Sequence, residues 1–520
     1  MQKSHKKILF YVLILFASFS VITIGLSWDE EFLINQGKVT TNYLLSLGLT
    51  EPNDIFRREF YSPIYYSLRY LLVQIVPHFY QIEAGHLVNL FFSMTAIVGT
   101  KKISEELFNK EVGNYVFLVL FFFPAFFGHM GFNSKDTIIA FCHVWIFFYV
   151  IKYIKSHNES YIYKIAVLSA VGTGINLFFL GSLLPLFFFT IVETFFIKKF
   201  NSKNIEIILF LKNLLKGLFI FYSLLIIFWI DTHPNVFILP FKYINDWMSS
   251  DLWRGYPFIL INGNYYLYSE IPKSYLLINL FYRTPEYILI TYLIFVVAFT
   301  KFEIFFSSKI KLFNYKLSLI FSMILYPFVL LYLTPFSIYD GLRHVLWMLP
   351  YLCIIVALII YFITQNLKQK IFKFFFLLTS LSIIYFLFNF LIITPYQYTY
   401  LNIFAGSKKN NYTKFENDYW GGSIKELISK INFDKNKKIK LSICGVNSSV
   451  PKYYLKKYGF TNFEINKIDN SDYIIMTNRA VNDEYNKNNL TTCFDKHKGE
   501  EIFYVKRNGL TLSSLRKLQN

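Results

Sequence analysis

Residues 112–154 read VGNYVFLVLFFFPAFFGHMGFNSKDTIIAFCHVWIFFYVIKYI, two apolar blocks separated by the polar turn GHMGFNSKD at residues 128–136. Each block is close to the length of about 20 residues that an α-helix needs to cross a bilayer. A soluble domain would scatter its apolar residues instead of collecting them in such blocks. The stretch therefore predicts two membrane helices joined by a turn at the membrane surface.

Similar blocks recur along the chain of 520 residues, of which 54% are hydrophobic. They predict a mainly α, polytopic transmembrane fold with about eleven spans. The predicted spans are Ile8–Leu26, Ala84–Thr100, Val112–Phe127, Thr137–Ile154, Ile165–Leu180, Leu183–Ile197, Leu214–Ile230, Pro285–Phe299, Leu317–Leu333, Val345–Ile363 and Phe372–Ile393.

The first predicted span has the charged flank of a signal sequence, because Lys3, Lys6 and Lys7 precede it. No convincing small-residue cleavage site stands before Trp28, so we interpret the span as a retained signal anchor with a cytoplasmic N-terminus. In the resulting membrane topology, Lys and Arg are concentrated in the connectors on the same side of the membrane as the N-terminus. This orientation places the turn at 128–136 outside and predicts an inner membrane protein, with a bacterial cytoplasmic membrane preferred.

The two longest polar segments between predicted spans also face the exterior in this topology. They are Ser27–Glu83 and Asp231–Ser274. The composition changes from Thr394 onward, where short β-like runs appear among Lys, Asn and Asp residues. We predict a transmembrane domain at 1–393 and a small extracytoplasmic α/β domain at 394–520. Cys444 and Cys493 both lie in this tail, and a disulfide between them is left open.

The formal net charge of +19 raises the question of a nucleic-acid partner. The Lys residues lie in short connectors and in the tail instead of along one amphipathic face. Membrane lipids with anionic headgroups are therefore the predicted counterpart, and no nucleic acid is expected.

Carboxylates follow the first predicted span directly, in the sequence Trp28-Asp29-Glu30-Glu31. Acidic side chains near the membrane are costly unless they are used. A carboxylate at the outer surface is suited to remove a proton from a substrate hydroxyl, and Asp29 and Glu30 are our candidates. The alternative is that these acids only flank a signal anchor.

The turn at 128–136 collects an imidazole, an amide, an amine and an acid in His129, Asn133, Lys135 and Asp136. Lys135 is suited to neutralise a phosphate, and Asp136 is predicted to join the carboxylates of the first loop as a catalytic residue. The alternative is an ordinary turn with a helix-capping Asp and a Lys that extends to the membrane surface.

A third polar group, Asp340-Gly341-Leu342-Arg343-His344, stands before the tenth predicted span. The guanidinium of Arg343 offers a fixed fork of donors that suits a lipid phosphate. His129 and His344 are candidate substrate-binding residues. Binding of a divalent metal by these two histidines is left open, but no third ligand accompanies them at a recognisable spacing.

These motifs, in this order, resemble the GT-C superfamily of membrane glycosyltransferases over nearly the whole chain, and particularly its protein-mannosyltransferase-like and aminoarabinose-transferase-like branch. Asp29-Glu30 looks like the acidic motif that follows the first helix in this branch. The stretch 132–136 resembles a Phe-Asn-Pro-Lys-Asp signature, with Ser134 in place of Pro. Further similar segments are Ile271-Pro272, Thr284-Pro285-Glu286, Asp340-Gly341-Leu342-Arg343-His344, Pro395-Tyr396-Gln397-Tyr398 and Asp418-Tyr419-Trp420-Gly421.

The resemblance implies an inverting glycosyltransferase that uses a polyprenyl-phosphate-linked sugar at the outer membrane face, with a carboxylate as general base. The acceptor would be a lipid, a glycan or a protein. One departure is the run at 174–181, GINLFFLG, where an Arg-containing Gly-rich run is expected.

Two other functions stay open. A polymerase or ligase of diphosphate-linked glycans would share many spans and outer loops. A transporter or flippase would need ionisable residues at mid-membrane, whereas the charged groups here lie at the ends of spans.

Overall fold

The structure, a computed structural model, describes residues 3–50, 62–200, 206–249, 257–334, 337–434, 437–482 and 490–518. Residues 51–61 and 250–256, which belong to the two long polar segments predicted to face the exterior, thus lie outside the described residues. The described chain is mainly α, as predicted, and its sheet structure is concentrated toward the C-terminus.

The helices follow the apolar blocks of the sequence. The α-helices are Lys3–Thr23, Glu30–Leu45, Ile64–Val73, Gln81–Leu107, Lys110–Phe121, Pro124–His129, Asp136–Ser156, Ser160–Ile175, Phe179–Ser182, Leu184–Ile191, Ile207–Phe228, Leu239–Ser249, Tyr275–Arg283, Glu286–Val297, Phe299–Ser307, Phe313–Leu333, Leu349–Gln365, Lys370–Ile392, Ile424–Ser429, Ser449–Lys457 and Cys493–Lys496. A π-helical turn covers Val192–Ile197. The 3₁₀ turns are His78–Tyr80, Ile230–Thr232, Tyr268–Glu270, Arg343–Val345, Gln397–Thr399, Ile403–Ala405, Lys408–Thr413 and Ile468–Asn470.

Each of the eleven predicted spans overlaps a helix. Within the described residues, five helices are long and apolar enough to cross a membrane, or six if the bent pair Tyr275–Arg283 and Glu286–Val297 counts as one span. Four more apolar helices are shorter, at 10–17 residues. The protein is therefore an integral membrane protein with several membrane helices.

One predicted span is interrupted. The block Val112–Phe127 contains the helix Lys110–Phe121 and then a separate short helix, Pro124–His129. Pro124 has no backbone N–H and cannot continue the first helix, but it is well suited to the first turn of the second. The break lets the chain turn toward the polar residues that follow.

The helix Leu349–Gln365 forms the centre of the membrane part. Every residue from 353 to 359 has no exposed surface, which explains why this helix is apolar on all sides. The helix Ile207–Phe228 is at the other extreme, since only 11% of its most apolar 18-residue stretch is buried inside the protein. Its apolar surface is left to contact lipid.

The tail forms a five-stranded mixed sheet. The strand order is Phe463–Ile465, Ile439–Cys444, Tyr473–Thr477, Leu510–Lys517 and Glu500–Arg507. The first three strands are parallel and the last two pair antiparallel. Short two-stranded pairs join Phe258–Ile261 to Asn264–Leu267 and Ala480–Val481 to Thr491–Thr492.

The tail packs against the chain just after the C-terminal end of the first helix, Lys3–Thr23, through backbone contacts. Gly25 N–H donates to the Gly422 carbonyl at 2.9 Å and Trp28 N–H donates to the Trp420 carbonyl at 3.1 Å. The Leu26 N–H also donates to the Tyr454 hydroxyl at 2.7 Å. The carboxylates that follow the first helix are thus held against the tail.

A disulfide joins Cys444 to Cys493 across 49 residues, whereas Cys142 and Cys353 are buried thiols. We expect non-reduced, denatured protein to react with a thiol reagent at two cysteines only. Because a loop of this length restricts the unfolded chain, reduction should destabilise the tail by about 2–5 kcal/mol. Mass spectrometry after alkylation and thermal unfolding with and without reductant test this, and four reactive thiols before reduction would contradict it.

Candidate active site

The polar turn at 128–136 is organised by the side chain of Asn133. Its Oδ1 accepts hydrogen bonds from the backbone N–H groups of Lys135 at 3.1 Å and Asp136 at 2.9 Å. These bonds give partners to backbone N–H groups at the start of the helix Asp136–Ser156, so the Asn133 side chain caps this helix. The Asn133 amide also donates to Asp136 Oδ2 at 2.9 Å. The turn therefore orients the carboxylate of Asp136, and this carboxylate does not itself cap the helix.

Arg343 lies at the centre of the site and is 3% exposed. Its Nη1 contacts Asp136 Oδ2 at 3.4 Å and its Nε contacts Asp340 Oδ2 at 3.2 Å. The aromatic rings of Tyr339 and Trp420 lie 4.8 Å and 4.9 Å from the guanidinium carbon. A cation paired with carboxylates and held between ring faces is fixed in place, so its position is set before any substrate arrives.

A second arginine, Arg479, reaches the site from the tail. Its Nη1 lies 3.0 Å from Asp340 Oδ1, and it also donates to the Tyr419 carbonyl at 2.6 Å. Its guanidinium lies 5.3 Å from the ring of Trp28. Asp340 thus bridges one arginine of the membrane part and one of the tail.

The sequence analysis missed Arg479. It follows the strand Tyr473–Thr477 by two residues. Residues at the carboxyl ends of parallel strands commonly line a site, and this rule, applied to the β-like runs of the tail, would have drawn attention to Arg479.

Arg283 is a further buried arginine that the sequence analysis did not single out. It donates to the carbonyls of Tyr398 at 3.2 Å and Glu416 at 3.0 Å, and to Asn279 Oδ1 at 3.0 Å. These bonds brace the segment that carries Trp420. The signal in the sequence is its place directly before Thr284, in a stretch already similar to the GT-C branch.

Asp29 stands at the N-cap of the helix Glu30–Leu45, but its side chain makes no capping hydrogen bond. Burial would lower the pKa of the Arg343 guanidinium, but Tyr339 and three nearby carboxylates raise it. One of these carboxylates is Asp29. Burial likewise raises the pKa of the Tyr339 hydroxyl, and Asp29 adds to this effect. Asp29 therefore lies within electrostatic reach of Arg343.

Lys135 also faces this group. The pKa of the His344 imidazole is lowered well below its usual value by burial first, and then by the charges of Arg343 and Lys135. The His344 ring lies 4.7 Å from the Tyr339 ring. The structure thus gathers Asp29, Lys135 and Arg343 around one centre, although they are far apart in the sequence.

His129 is neutral in this setting, because burial and the charges of Arg343 and Arg283 lower its pKa well below the usual value. The Asn133 amide lies 3.2 Å from His129 Nδ1 and the Tyr419 hydroxyl lies 3.0 Å from Nε2. Since the amide nitrogen can only donate, Nδ1 is the acceptor and Nε2 carries the proton. No group of three or more His, Cys, Asp or Glu side chains stands close enough to hold a metal ion among the described residues.

Glu30 belongs to a separate buried cluster, although it is the neighbour of Asp29. One carboxylate oxygen accepts a hydrogen bond from Arg69, and the other lies 3.1 Å from His86 Nε2 and accepts from the Ser27 N–H at 3.2 Å. Glu30 has no exposed surface. It ties the start of the helix Glu30–Leu45 to the helices Ile64–Val73 and Gln81–Leu107, next to Asp29.

This cluster predicts an acid-sensitive contribution to stability. Burial would raise the pKa of Glu30, but His86 and Arg69 lower it from 4.5 to about 2. The folded state therefore favours the ionised form, so the contribution is complete above about pH 4.5 and is lost as the pH falls toward 2. The shift corresponds to about 3 kcal/mol. We expect Glu30→Gln to lower the unfolding temperature at neutral pH and to flatten its acid dependence.

Thermal unfolding in detergent between about pH 5 and pH 2 measures this effect. Glu464→Gln is the matched control, because Glu464 pairs with Lys438 at 2.7 Å on the surface with both side chains about half exposed. Surface pairs contribute little. Equal effects of the two substitutions would contradict the assignment.

Comparison with solved structures gives the fold. ArnT from Cupriavidus metallidurans in the apo state matches with a TM-score of 0.51 and 11% identity, covering 99% of this chain and 98% of that one. ArnT bound to undecaprenyl phosphate matches with a TM-score of 0.50 and 9% identity, over the same shares. No protein-family model and no curated protein matches the sequence. The chain therefore shares the fold of the two ArnT structures, and the predicted mainly α, polytopic fold is confirmed.

Proposed function

We propose that this chain, which has the fold of ArnT, is a glycosyltransferase that takes a sugar from a polyprenyl-phosphate carrier at the extracytoplasmic face. ArnT has been solved with undecaprenyl phosphate bound, and a carrier of this chemistry suits the cations found here. The observation that carries the proposal is that Asp29 and Lys135 lie within electrostatic reach of the buried Arg343 and its neighbour Tyr339.

The acceptor hydroxyl loses its proton to Asp29 as its oxygen attacks the anomeric carbon of the donor sugar. The bond from that carbon to the phosphate oxygen breaks, and the polyprenyl phosphate leaves with the bonding electrons. Attack from the opposite side inverts the anomeric configuration. Lys135 and Arg343 stabilise the negative charge that grows on the leaving phosphate.

Asp29 is a better base than Asp136 for a physical reason. Asp136 is 5% exposed and its carboxylate is bound by Asn133 and Arg343. Asp29 is only half-buried, and no capping bond restrains its side chain. We therefore assign proton removal to Asp29 and orientation of the substrates to Asp136.

The remaining candidates take positioning roles in this proposal. Asn133 and neutral His129 hold the turn that carries Lys135, and His344 packs on Tyr339 beside the phosphate site. Glu30 positions Asp29, because it anchors the start of the helix whose N-cap position Asp29 occupies.

The disulfide between Cys444 and Cys493 supports an outer location for the tail, since disulfides persist in oxidising compartments such as the bacterial periplasm. The orientation proposed from the basic connectors leads to the same side. A bacterial inner membrane is therefore the proposed location.

The test is transfer of radiolabelled sugar from a panel of polyprenyl-monophosphate sugars into a membrane extract that contains purified protein. We expect one donor to label a product in a time-dependent manner. Transfer only from diphosphate-linked oligosaccharides would favour a glycan polymerase or ligase. Folded protein that transfers from neither class would overturn the proposed function.

A further inference from the structure

Glu416 is a buried carboxylate of the tail that lies beside the candidate active site and has no part in the proposed reaction. Its side chain is 4% exposed, and its Oε1 accepts a hydrogen bond from the Ala480 N–H at 2.8 Å. Ala480 directly follows Arg479, which pairs with Asp340. The carboxylate therefore holds the main chain next to the arginine that reaches the site from the tail.

The same carboxylate contacts an element that lies outside the tail. The backbone of Leu260, in the strand Phe258–Ile261, gives it a second hydrogen bond that favours the ionised form. The side chains of Leu260 and Ala480 also belong to one apolar cluster. Glu416 thus joins this strand to the tail strand that follows Arg479.

The main chain around Glu416 is held from two sides. The Glu416 carbonyl accepts from Arg283 Nη2 at 3.0 Å, which ties it to the membrane part. The Asn417 N–H donates to Asn478 Oδ1 at 3.0 Å, and the Asn478 amide donates to the Phe415 carbonyl at 2.9 Å. The side chain of Glu416 therefore starts from a fixed point between the membrane part and the tail.

Glu416 and Asp340 line one small cavity of about 10 Å³, which has room for about one water molecule. Asp340 Oδ2 lies 3.2 Å from Arg343 Nε, and its Oδ1 lies 3.0 Å from Arg479 Nη1. Arg479 and Asp340 both act electrostatically on Glu416. Because bulk water does not fill this space, the charges interact strongly. The charge of Glu416 therefore acts on the ion pairs that hold Arg343.

We propose that Glu416 is a positioning residue of the active site, whose ionised carboxylate holds Arg479 on Asp340 and thereby keeps Arg343 in place for the donor phosphate. The inference rests on the proposed function, because it takes Arg343 as a phosphate ligand. It goes further by giving a residue of the tail control over donor binding. Protonation of Glu416 weakens the hydrogen bonds that it accepts and removes its attraction for Arg479.

The surroundings of Glu416 make its charge sensitive to pH near neutrality. Burial raises its pKa from 4.5 to about 7, and Asp340 adds to this effect, whereas Arg479 and two backbone N–H groups act in the opposite direction. Because the folded-state pKa lies above the usual value, the protein loses stability as the pH rises from about 4.5 to 7. A carboxylate placed for stability would have the opposite sign. The charged and titratable side chains around Glu416 are Arg479 of the tail, Asp340, Tyr275 and Arg283 of the membrane part, Tyr265 of the strand Asn264–Leu267, and Tyr419 of its own segment.

The first test is the pH dependence of kcat/KM for the sugar donor that the transfer assay identifies. In the unmodified protein it should fall about tenfold between about pH 8 and pH 6, as protonation of one group with a pKa of about 7 requires. Glu416→Gln should show the low value throughout, and Glu416→Asp, which keeps a carboxylate, should retain the fall. The KM for the acceptor should not follow this change. A Glu416→Gln profile equal to that of the unmodified protein would overturn the proposal.

Glu464→Gln is the matched control, because Glu464 is an exposed carboxylate of the tail. It should keep the pH profile of the unmodified protein. Thermal unfolding at about pH 8 should show no loss of stability in Glu416→Gln, since a neutral side chain replaces a buried charge. A lower unfolding temperature with an unchanged pH profile would identify Glu416 as a merely structural residue and refute its positioning role.

The second test needs neither a donor nor a variant, so its failure differs from a failure of the proposed function. Hydrogen–deuterium exchange by mass spectrometry follows the peptides that contain Leu260 and Ala480 in the full-length protein. After correction for the intrinsic pH dependence of exchange, their protection should fall between about pH 8 and pH 6, because the acceptor of their hydrogen bonds is lost. The strand Tyr473–Thr477 should stay protected. Protection of both peptides that is independent of pH would overturn the role of Glu416, whereas the expected loss of protection without transfer from any donor would count against the proposed function.

Discussion

Asp29→Asn is expected to abolish sugar transfer, with a fall of about 10²–10⁴-fold in kcat, the contribution typical of a general base. The amide cannot take the proton of the acceptor hydroxyl, but it has nearly the shape of the carboxylate. Asn also serves as well as Asp at an N-cap, and the Asp29 side chain makes no cap bond that could be lost. The unfolding temperature should therefore stay close to that of the unmodified protein.

The comparison variant is Asp469→Asn, an exposed carboxylate of the tail. It should retain full activity. Donor binding should survive in Asp29→Asn, because the cations that we assign to the phosphate are untouched. An active Asp29→Asn protein would rule out the base assignment, and a loss of donor binding equal to the loss of rate would reassign Asp29 to the donor site.

Arg343→Ala is expected to have the second large effect. It removes the proposed phosphate ligand and leaves the carboxylates of Asp136 and Asp340 buried without their shared cation. Breaking a buried ion pair costs about 3–5 kcal/mol, so both stability and donor affinity should fall. The affinity for polyprenyl phosphate should fall more than the affinity for the acceptor.

Arg69→Ala separates these two effects. Arg69 is also a buried arginine paired with a buried carboxylate, Glu30, so its loss should destabilise the protein to a similar degree. The affinity of the Arg69→Ala variant for polyprenyl phosphate should be unchanged. Binding of polyprenyl phosphate to both variants at a temperature where both are folded makes the comparison, and equal donor affinities would refute a phosphate role for Arg343.

The sequence alone was sufficient to predict the membrane helices and the residue types of the site. Apolar blocks of bilayer length are a local property of the chain, which is why each predicted span overlaps a helix. The polar groups Asp29, Lys135 and Arg343 were also visible locally, because each stands next to the end of an apolar block where a charge is unusual.

Other features depended on contacts between distant parts of the chain. The neighbours Asp29 and Glu30 look alike in the sequence, but only Glu30 is sealed between Arg69 and His86. Which of the two carboxylates becomes fully buried is decided by the packing of two later helices. Arg479 enters the site because the tail packs on the segment after the first helix, where its guanidinium lies 5.3 Å from the ring of Trp28.

The sequence by itself thus determined the class of fold, the apolar spans and the set of charged side chains at their ends, because hydropathy and charge are read residue by residue. Only the tertiary structure decided that Asp340 joins Arg343 to Arg479 and that Glu30 is buried between Arg69 and His86. These arrangements arise from burial and from pairing of charges across long sequence separations, which no local pattern encodes.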